Sequence, residues 1–478
     1  LEEKDEKVSV WRTTSRRLVG KAQYLGEWQA ICDEVVDALA SVNGVLWITD
    51  FISLLSTGGE GAEDSIAAYL YSFVKRGRLR IISELLPQEL EVARAKLPAF
   101  VQQFKIMNVS ELDKQETRLV LKNYVAYIEA NFDVQVKNES LDTALQLSSR
   151  YLKYEKSPGN ILKFFSSCLK NLPHDGEKRI DKPYILSQFI EYTGLPRPLL
   201  DDTIPVTEHE LMSYFGERII GQDAILRQLC RTVQLFKAGL NDPQKPIATL
   251  LFAGPTGVGK TAATKALAEF FFSAGQKKNP LFSIDMSEFQ HPGQIVRLIG
   301  DHSQPGKLVS HVRSQPFSVV LLDEIEKAHS SIYDTLLTVL DEGILTDRSG
   351  RVTDFRSCII IMTIPAIKQH FRPEFFNRID YVLGFNSLDK KAILAITERE
   401  LKLLHKRDRI KQQNIQLNFS PALIEYIANT GFSAVYGARP IQRAIEKNIV
   451  TRLSRLFMNQ PDVKKVDIDV IEGEIVIG

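Results

Sequence analysis

The sequence predicts an α/β fold of parallel sheets flanked by helices, and three stretches carry that prediction. The apolar run from Ala248 to Ala253 leads straight into Gly254-Pro255-Thr256-Gly257-Val258-Gly259-Lys260-Thr261 and then into a helix-forming segment. A second apolar run, Ser318-Val319-Val320-Leu321-Leu322, ends in Asp323-Glu324. Between Gly20 and Lys105 the apolar spacing alternates between helix and strand, as expected of part of an α/β domain. Strand, glycine loop and helix in that order make a phosphate cradle. The glycines let backbone N–H groups turn toward a phosphate, Lys260 reaches the outer phosphates, and Thr261 holds magnesium at a helix N-terminus.

The chain order supplies the remaining elements. Trp28 to Leu39 has helical spacing, Gly44 to Ile48 is apolar and β-prone, Ser65 to Val74 is helical, and Leu79 to Ile82 is a parallel-strand candidate. Leu119 to Cys168 is rich in helical spacing, broken at Ser157-Pro158-Gly159-Asn160 before a helix from Ile161 to Leu169. Gly176 to Lys182, followed by Pro183, reads as a linker. The stretch from Asn171 to Leu211 has no sustained heptads for a coiled coil. Phe215 to Asp223 precedes an amphipathic helix to Ala238. Leu281 to Asp285 and Ile359 to Thr363 are strands, Tyr436-Gly437-Ala438-Arg439-Pro440 opens a helix, and Val466 to Ile477 alternates as one or two edge strands.

Composition narrows the function classes. A chain of 478 residues is too long for one ordinary core and predicts two to four domains. With 44% hydrophobic and 25% charged residues it has a globular balance rather than a disordered one. A net charge of +1 gives no reason to expect nucleic acid or an acidic membrane as partner. The 4 cysteines, Cys32, Cys168, Cys230 and Cys358, have no metal spacing and read as buried thiols in a reducing compartment. No apolar run is long enough to span a bilayer, and Leu1 to Lys7 is unlike a secretion signal, so no membrane insertion is expected. The expected location is the cytoplasm or an organelle interior.

The strand ending in Asp323-Glu324 has a clear use beside a phosphate loop: Asp323 orients magnesium-bound water and Glu324 polarises the attacking water. Around it stand Glu326-Lys327-Ala328-His329, Leu340-Asp341-Glu342-Gly343-x-Leu345-Thr346-Asp347, and Phe371-Arg372-Pro373-Glu374-Phe375-Phe376-Asn377-Arg378-Ile379-Asp380. These runs resemble the Clp/Hsp100 class of AAA+ protein unfoldases. The resemblance implies tandem modules, each a parallel-sheet P-loop NTPase core followed by a small, mostly helical lid. It implies ATP, ADP and Mg2+ as cofactors and a hexameric ring as the assembly. It makes Arg378 a finger that reaches a neighbour's nucleotide and Arg439 a sensor on the lid of the same subunit. Ile219 and Ile220 would lie against adenine, although two aliphatic core residues fit the same pattern.

The resemblance also reaches back to Leu18–Trp28, where Tyr24 matches a channel-facing aromatic that grips polypeptide; an ordinary turn tyrosine fits equally. The rest of the first module departs from the family. Thr49 and Asp50 stand where the Walker B acids should, no phosphate loop precedes Tyr24, Pro98 and Ala99 hold the finger positions, and Leu85 or Leu86 holds the polar sensor position. A one-residue slip at Thr49 and Asp50 stays open. In the second module Ile364 and Pro365 follow Thr363 where a sensor 1 asparagine is expected, the long connection usual before Phe371 is missing, and Leu298 to Leu308 omits the usual second pore loop. Either both loops are truly shortened, or the chain joins segments that flank longer ones; the intact finger, Walker B pair and sensor 2 favour the second.

The expected domains are a degenerate or partial core at 1–110, a lid at 111–175, a linker at 176–212, a working core at 213–385 and its lid at 386–478. The expected function is a ring-forming, ATP-hydrolysing unfoldase or remodelling chaperone acting on polypeptide, with an adaptor or a peptidase as further partners. The alternatives are a dedicated disassembly ATPase of a secretion-type complex and a structural ring component that uses nucleotide only for assembly.

Overall fold

A computed structural model of the chain describes residues 8–20, 27–59, 61–152, 155–173, 178–275, 279–300, 304–347, 352–366, 371–433 and 437–478. It divides into two compact units, the first covering residues up to Ser110 and the second running from Glu111 onward.

In the first unit, β1 (Val10–Thr13), β2 (Val45–Ile48) and β3 (Ile81–Ser83) form a parallel sheet in that order. The helix Glu27–Ser41 buries Trp28, Cys32, Val36 and Leu39, spaced three or four apart so that they share one face. They pack with Ile48, Phe51, Leu70 and Phe100 in one apolar cluster. Strand β1 escaped the sequence reading because its residues are mostly exposed, Val10 and Trp11 at 51% each, so no buried apolar run marks it.

The second unit begins with helices Lys114–Asn131, Asn138–Tyr151 and Gly159–Lys170, with the short strands β4 (Gln135–Val136) and β5 (Arg179–Ile180) paired in parallel. The segment expected as a linker instead carries the helices Lys182–Thr193 and Arg197–Leu200. Pro183 does not break the chain. It occupies the first turn of its helix, where no N–H partner is lost, and Asp181 caps that turn by accepting from the Tyr184 N–H at 3.0 Å. Ile185, Leu186, Phe189 and Leu199 then enter the same apolar cluster as Phe164 before them and Leu229 and Phe271 after them.

The central sheet is parallel with strand order β12-β6-β11-β8-β7: β6 (Ala248–Ala253), β7 (Leu281–Asp285), β8 (Val319–Asp323), β11 (Ile359–Ile364) and β12 (Tyr381–Gly384). Both faces are covered. Leu250 and Phe252 of β6 join one cluster, while Leu251 and Ala253 join the other. That double burial explains why these strands read as continuous apolar runs. The pair β9 (Ile344–Thr346) and β10 (Val352–Asp354) is antiparallel. After β12, helices Lys390–Lys402, Pro421–Gly431 and Arg439–Ile445 pack with β13 (Gln416–Phe419), β14 (Lys465–Ile471) and β15 (Glu474–Ile477) around a separate core. The stretch expected as one or two edge strands supplies one: in the order β13-β14-β15 the strand β15 lies at an edge and β14 at the centre, with β13 at the other edge. β13 is too short for alternation alone to reveal it.

Candidate functional site

Strand β6 hands the chain to the glycine loop, and the loop hands it to the helix Lys260–Phe272. Gly254, Gly257 and Gly259 take φ of +153°, +79° and +110°, values that favour glycine. At Gly254 a Cβ would stand 2.6 Å from the Phe385 carbonyl oxygen, so the loop starts flush against the chain leaving β12. The side chain of Val258 is buried in the core, which leaves the backbone to line the cavity.

That cavity, of about 260 Å³, is bounded by Thr256 to Ala262 on one side. Ile219, Ile220, Asp323, Glu324, Thr363 and Arg439 border it elsewhere. Gly254 and Pro255 sit behind it: their carbonyls accept from Lys260 Nζ, at 3.1 Å for Pro255, and the Ile364 carbonyl accepts at 3.3 Å. Burial pushes the Lys260 ammonium below the ordinary lysine range, while Asp323, Glu326 and Glu324 pull it back up. An ammonium ringed by neutral carbonyls is poised to exchange them for phosphate oxygens. Ile219 is 2% exposed and Ile220 half-buried; both border the cavity, and Ile219 also belongs to the core cluster.

The acidic pair is organised by a residue whose role the sequence did not reveal. The Thr363 hydroxyl donates to Asp323 Oδ1 and accepts from the Glu324 N–H at 3.0 Å. Thr363 is 1% exposed and lies in β11, which runs alongside β8. A threonine one residue past a strictly apolar run, beside the strand that ends in two acids, is the signal that could have found it. Glu324 is held at φ +55°, uncommon for a residue with a side chain. Its carboxylate pairs with Lys327, and that contact raises the Lys327 ammonium. Asp323 Oδ2 and the Thr261 hydroxyl are hard oxygen donors of the kind magnesium takes alongside substrate phosphates and water. No group of three or more His, Cys, Asp or Glu that could cage a metal occurs among the described residues.

The lid closes on the loop directly. The Ala438 N–H donates to the Gly257 carbonyl at 3.1 Å, and Gly437, at φ +61°, approaches so near that a Cβ would stand 2.7 Å from the carbonyl oxygens of Thr256 and Gly257. Arg439, which opens the next helix behind this turn, is thereby brought to the cavity edge. Arg378 does not border the cavity. Its guanidinium pairs with Asp341 at 2.6 Å, and Arg372 pairs with Asp334 at 3.0 Å, so one helix, Ser330–Glu342, anchors both ends of the finger segment. Tyr24 lies outside the described residues.

In the first unit, Asp50 is fully engaged: Oδ1 accepts from the Ser15 N–H at 2.8 Å and Oδ2 from the Ser15 hydroxyl at 2.5 Å. The Thr49 hydroxyl donates to the Thr13 carbonyl at 3.5 Å. Both side chains serve the local fold.

Comparison with known proteins matches residues 245–382 to the AAA domain, Cdc48 subfamily, and residues 388–468 to the C-terminal D2-small domain of ClpB protein. The ATP-binding subunit ClpC of the ATP-dependent Clp protease from Staphylococcus aureus is 29% identical over 556 residues, covering 95% of this chain and 67% of its own. A structure of the Saccharomyces cerevisiae Hsp104–ADP complex superposes with a TM-score of 0.75 at 26% identity, covering 98% of this chain and 86% of that one. A closed-state Hsp104 with ATPγS and casein gives 0.68 at the same identity and coverage. The chain is similar over nearly its whole length to the Clp/Hsp100 AAA+ ATPases. Like those relatives it carries tandem parallel-sheet modules, and with its AAA domain it is an ATP-hydrolysing enzyme. The alignment to ClpC, 556 positions long, exceeds the 478 residues present, so ClpC has internal stretches without counterpart in this chain. No helix among the described residues is long and apolar enough to cross a membrane.

Proposed function

We propose that this protein is an ATP-driven unfoldase or remodelling chaperone that works as a homohexameric ring on polypeptide substrates, with the second module as its engine. The observation that carries the reading is the convergence of phosphate loop, acidic pair and lid arginine on one cavity. Lys260 would release its carbonyl partners to hold the outer phosphates, and Thr261 and Asp323 would hold a magnesium ion. When bound, magnesium neutralises charge on the phosphates being separated. Asp323 keeps its orientation through Thr363, and Glu324, once freed from Lys327, polarises the attacking water. Ile219 and Ile220 offer a flat apolar wall to adenine.

Arg378 acts in trans. Within its own subunit it is paired with Asp341 and set apart from the cavity, so a neighbour's γ-phosphate would have to draw it from that carboxylate. Arg439 reads the phosphates in cis, and its turn already touches Gly257. Loss of the γ-phosphate would then shift the lid and, through the ring, the substrate. The first module, with Asp50 bound to Ser15, serves as a non-hydrolysing scaffold, and Tyr24 would contribute to the substrate channel. The protein would work in the cytoplasm or an organelle interior, with an adaptor or peptidase as additional partners.

The test is nucleotide turnover with the assembly monitored. Lys260→Ala should abolish MgATP binding and ring stabilisation together. Wild-type turnover surviving in Lys260→Ala would place the working site elsewhere.

A further inference from the structure

Gln222 stands where three parts of the second module meet. Its side chain is 3% exposed. Nε2 donates to the Val258 carbonyl at 3.2 Å and to the Asn386 carbonyl at 2.8 Å, while Oε1 accepts from the Asn386 N–H at 3.1 Å. Both amide hydrogens and the amide oxygen are thereby used. Val258 belongs to the phosphate loop; Asn386 lies between β12 and the first lid helix, Lys390–Lys402. The Gln222 backbone is committed as well, its carbonyl accepting from Ile225 and Leu226 at 2.9 and 3.1 Å to start the helix Asp223–Ala238.

The neighbours fix this joint from both sides. Ile219 and Ile220 border the nucleotide cavity, and Gly221, at φ +75°, lets the lid helix approach until a Cβ would stand 2.7 Å from Ala392 Cβ. The lid is therefore tied to the loop at two places: directly at a tip, where Ala438 donates a main-chain bond to Gly257, and through Gln222 at a base, where Asn386 is clasped by the same side chain that bonds Val258. A lever needs a base that holds while its tip moves. The paired bonds to Asn386, donor and acceptor together, resist rotation there better than the one bond found at the tip among the described residues.

We propose that Gln222 is a positioning residue that joins the phosphate loop to the base of the lid, so that the phosphate state of the loop is transmitted to Asn386 and from there to the lid carrying Arg439. This rests on the cavity being the ATP site. Gln222 touches no reacting atom, and ionised Glu or Leu at this position lacks the two donors.

The test compares wild type, Gln222→Leu and Gln222→Glu by hydrogen exchange over residues 384–392, with MgADP and with a non-hydrolysable MgATP analogue, alongside steady-state turnover. In wild type the exchange should differ between the two nucleotides. In both variants that difference should vanish, with affinity held within about threefold and kcat lowered about tenfold, a loss in the chemical cycle rather than in binding. If a variant melts below the assay temperature, Gln222→Asn, which keeps the amide on a shorter stem, carries the same comparison. Variants that retain the wild-type exchange difference overturn the proposal. So does loss of nucleotide binding in every variant, which would make Gln222 part of the cradle. Wild type that binds no nucleotide would instead overturn the ATP-site reading.

Discussion

At the scale of single residues, the site is a set of groups that hold one another in place until phosphate arrives. Thr363 is the clearest case. Thr363→Val preserves shape but leaves Asp323 Oδ1 and the Glu324 N–H without their partner, at a cost of about 1–3 kcal/mol for each buried group. Turnover should fall about tenfold or more and recover in Thr363→Ser, which restores the hydroxyl; equal turnover in the valine and serine variants would remove Thr363 from the mechanism. Glu326 gives a pH signature. Burial raises its carboxyl above the ordinary range, and Oε2 has no hydrogen-bond partner. The folded state thus binds this proton more tightly than the unfolded chain. Its contribution to stability is full below the unfolded pKa and is lost as pH rises through the folded one. Glu326→Gln, uncharged throughout, should raise the melting temperature at neutral pH and bring little change in acid, read by thermal unfolding across pH in the absence of nucleotide. Sequence spacing singled out Lys260, Asp323 and Glu324, which the fold brings to one cavity, because the chemistry proposed for them is tied to fixed offsets. It left Thr363 and Gln222 without roles because their partners are 39 and 164 residues away in the chain.

At the scale of elements, the strands of the second core were legible because burial on both faces writes them as unbroken apolar runs. β1 and the helices after Ile180 were not: one is an exposed strand, and the others fall in the stretch around Pro183 that reads as a linker. Their placement depends on packing that a local pattern does not record. The first module shows how an acid at a catalytic-looking position can become structural. With both oxygens of Asp50 bound to Ser15, Asp50→Ala should destabilise the first unit by about 1–3 kcal/mol, as expected for stranding a buried donor. ATP turnover of the assembled protein should stay within about twofold, since the lost interaction lies outside the chemistry. Limited proteolysis of residues 8–110 and a turnover assay check the two halves separately. A large drop in turnover with an intact first unit would assign Asp50 a catalytic part.

At the scale of the whole molecule, the role proposed for Arg378 needs more than one chain. Arg378 rests on Asp341, outside the cavity of its own subunit. Its segment is nevertheless fixed to the core, because the Asp380 carboxylate accepts from the Thr249 N–H at 2.7 Å at the start of the strand that leads to the phosphate loop. Arg378→Ala should therefore bind MgATP normally yet lose about 10³-fold in turnover, as expected for a charge supplied in trans. Mixing it with Lys260→Ala subunits should restore part of the activity, since an intact cavity then meets an intact finger; absence of rescue despite mixed rings would place Arg378 in a cis role.

The most direct measurement is steady-state ATPase activity of wild type and Glu324→Gln with oligomer mass determined alongside. The wild type should turn over ATP as a ring. Glu324→Gln should bind ATP, hold the same ring and lose turnover about 10²-fold or more, the scale of a lost general base. A wild-type ring that hydrolyses no ATP, or a Glu324→Gln ring as active as wild type, would contradict the account.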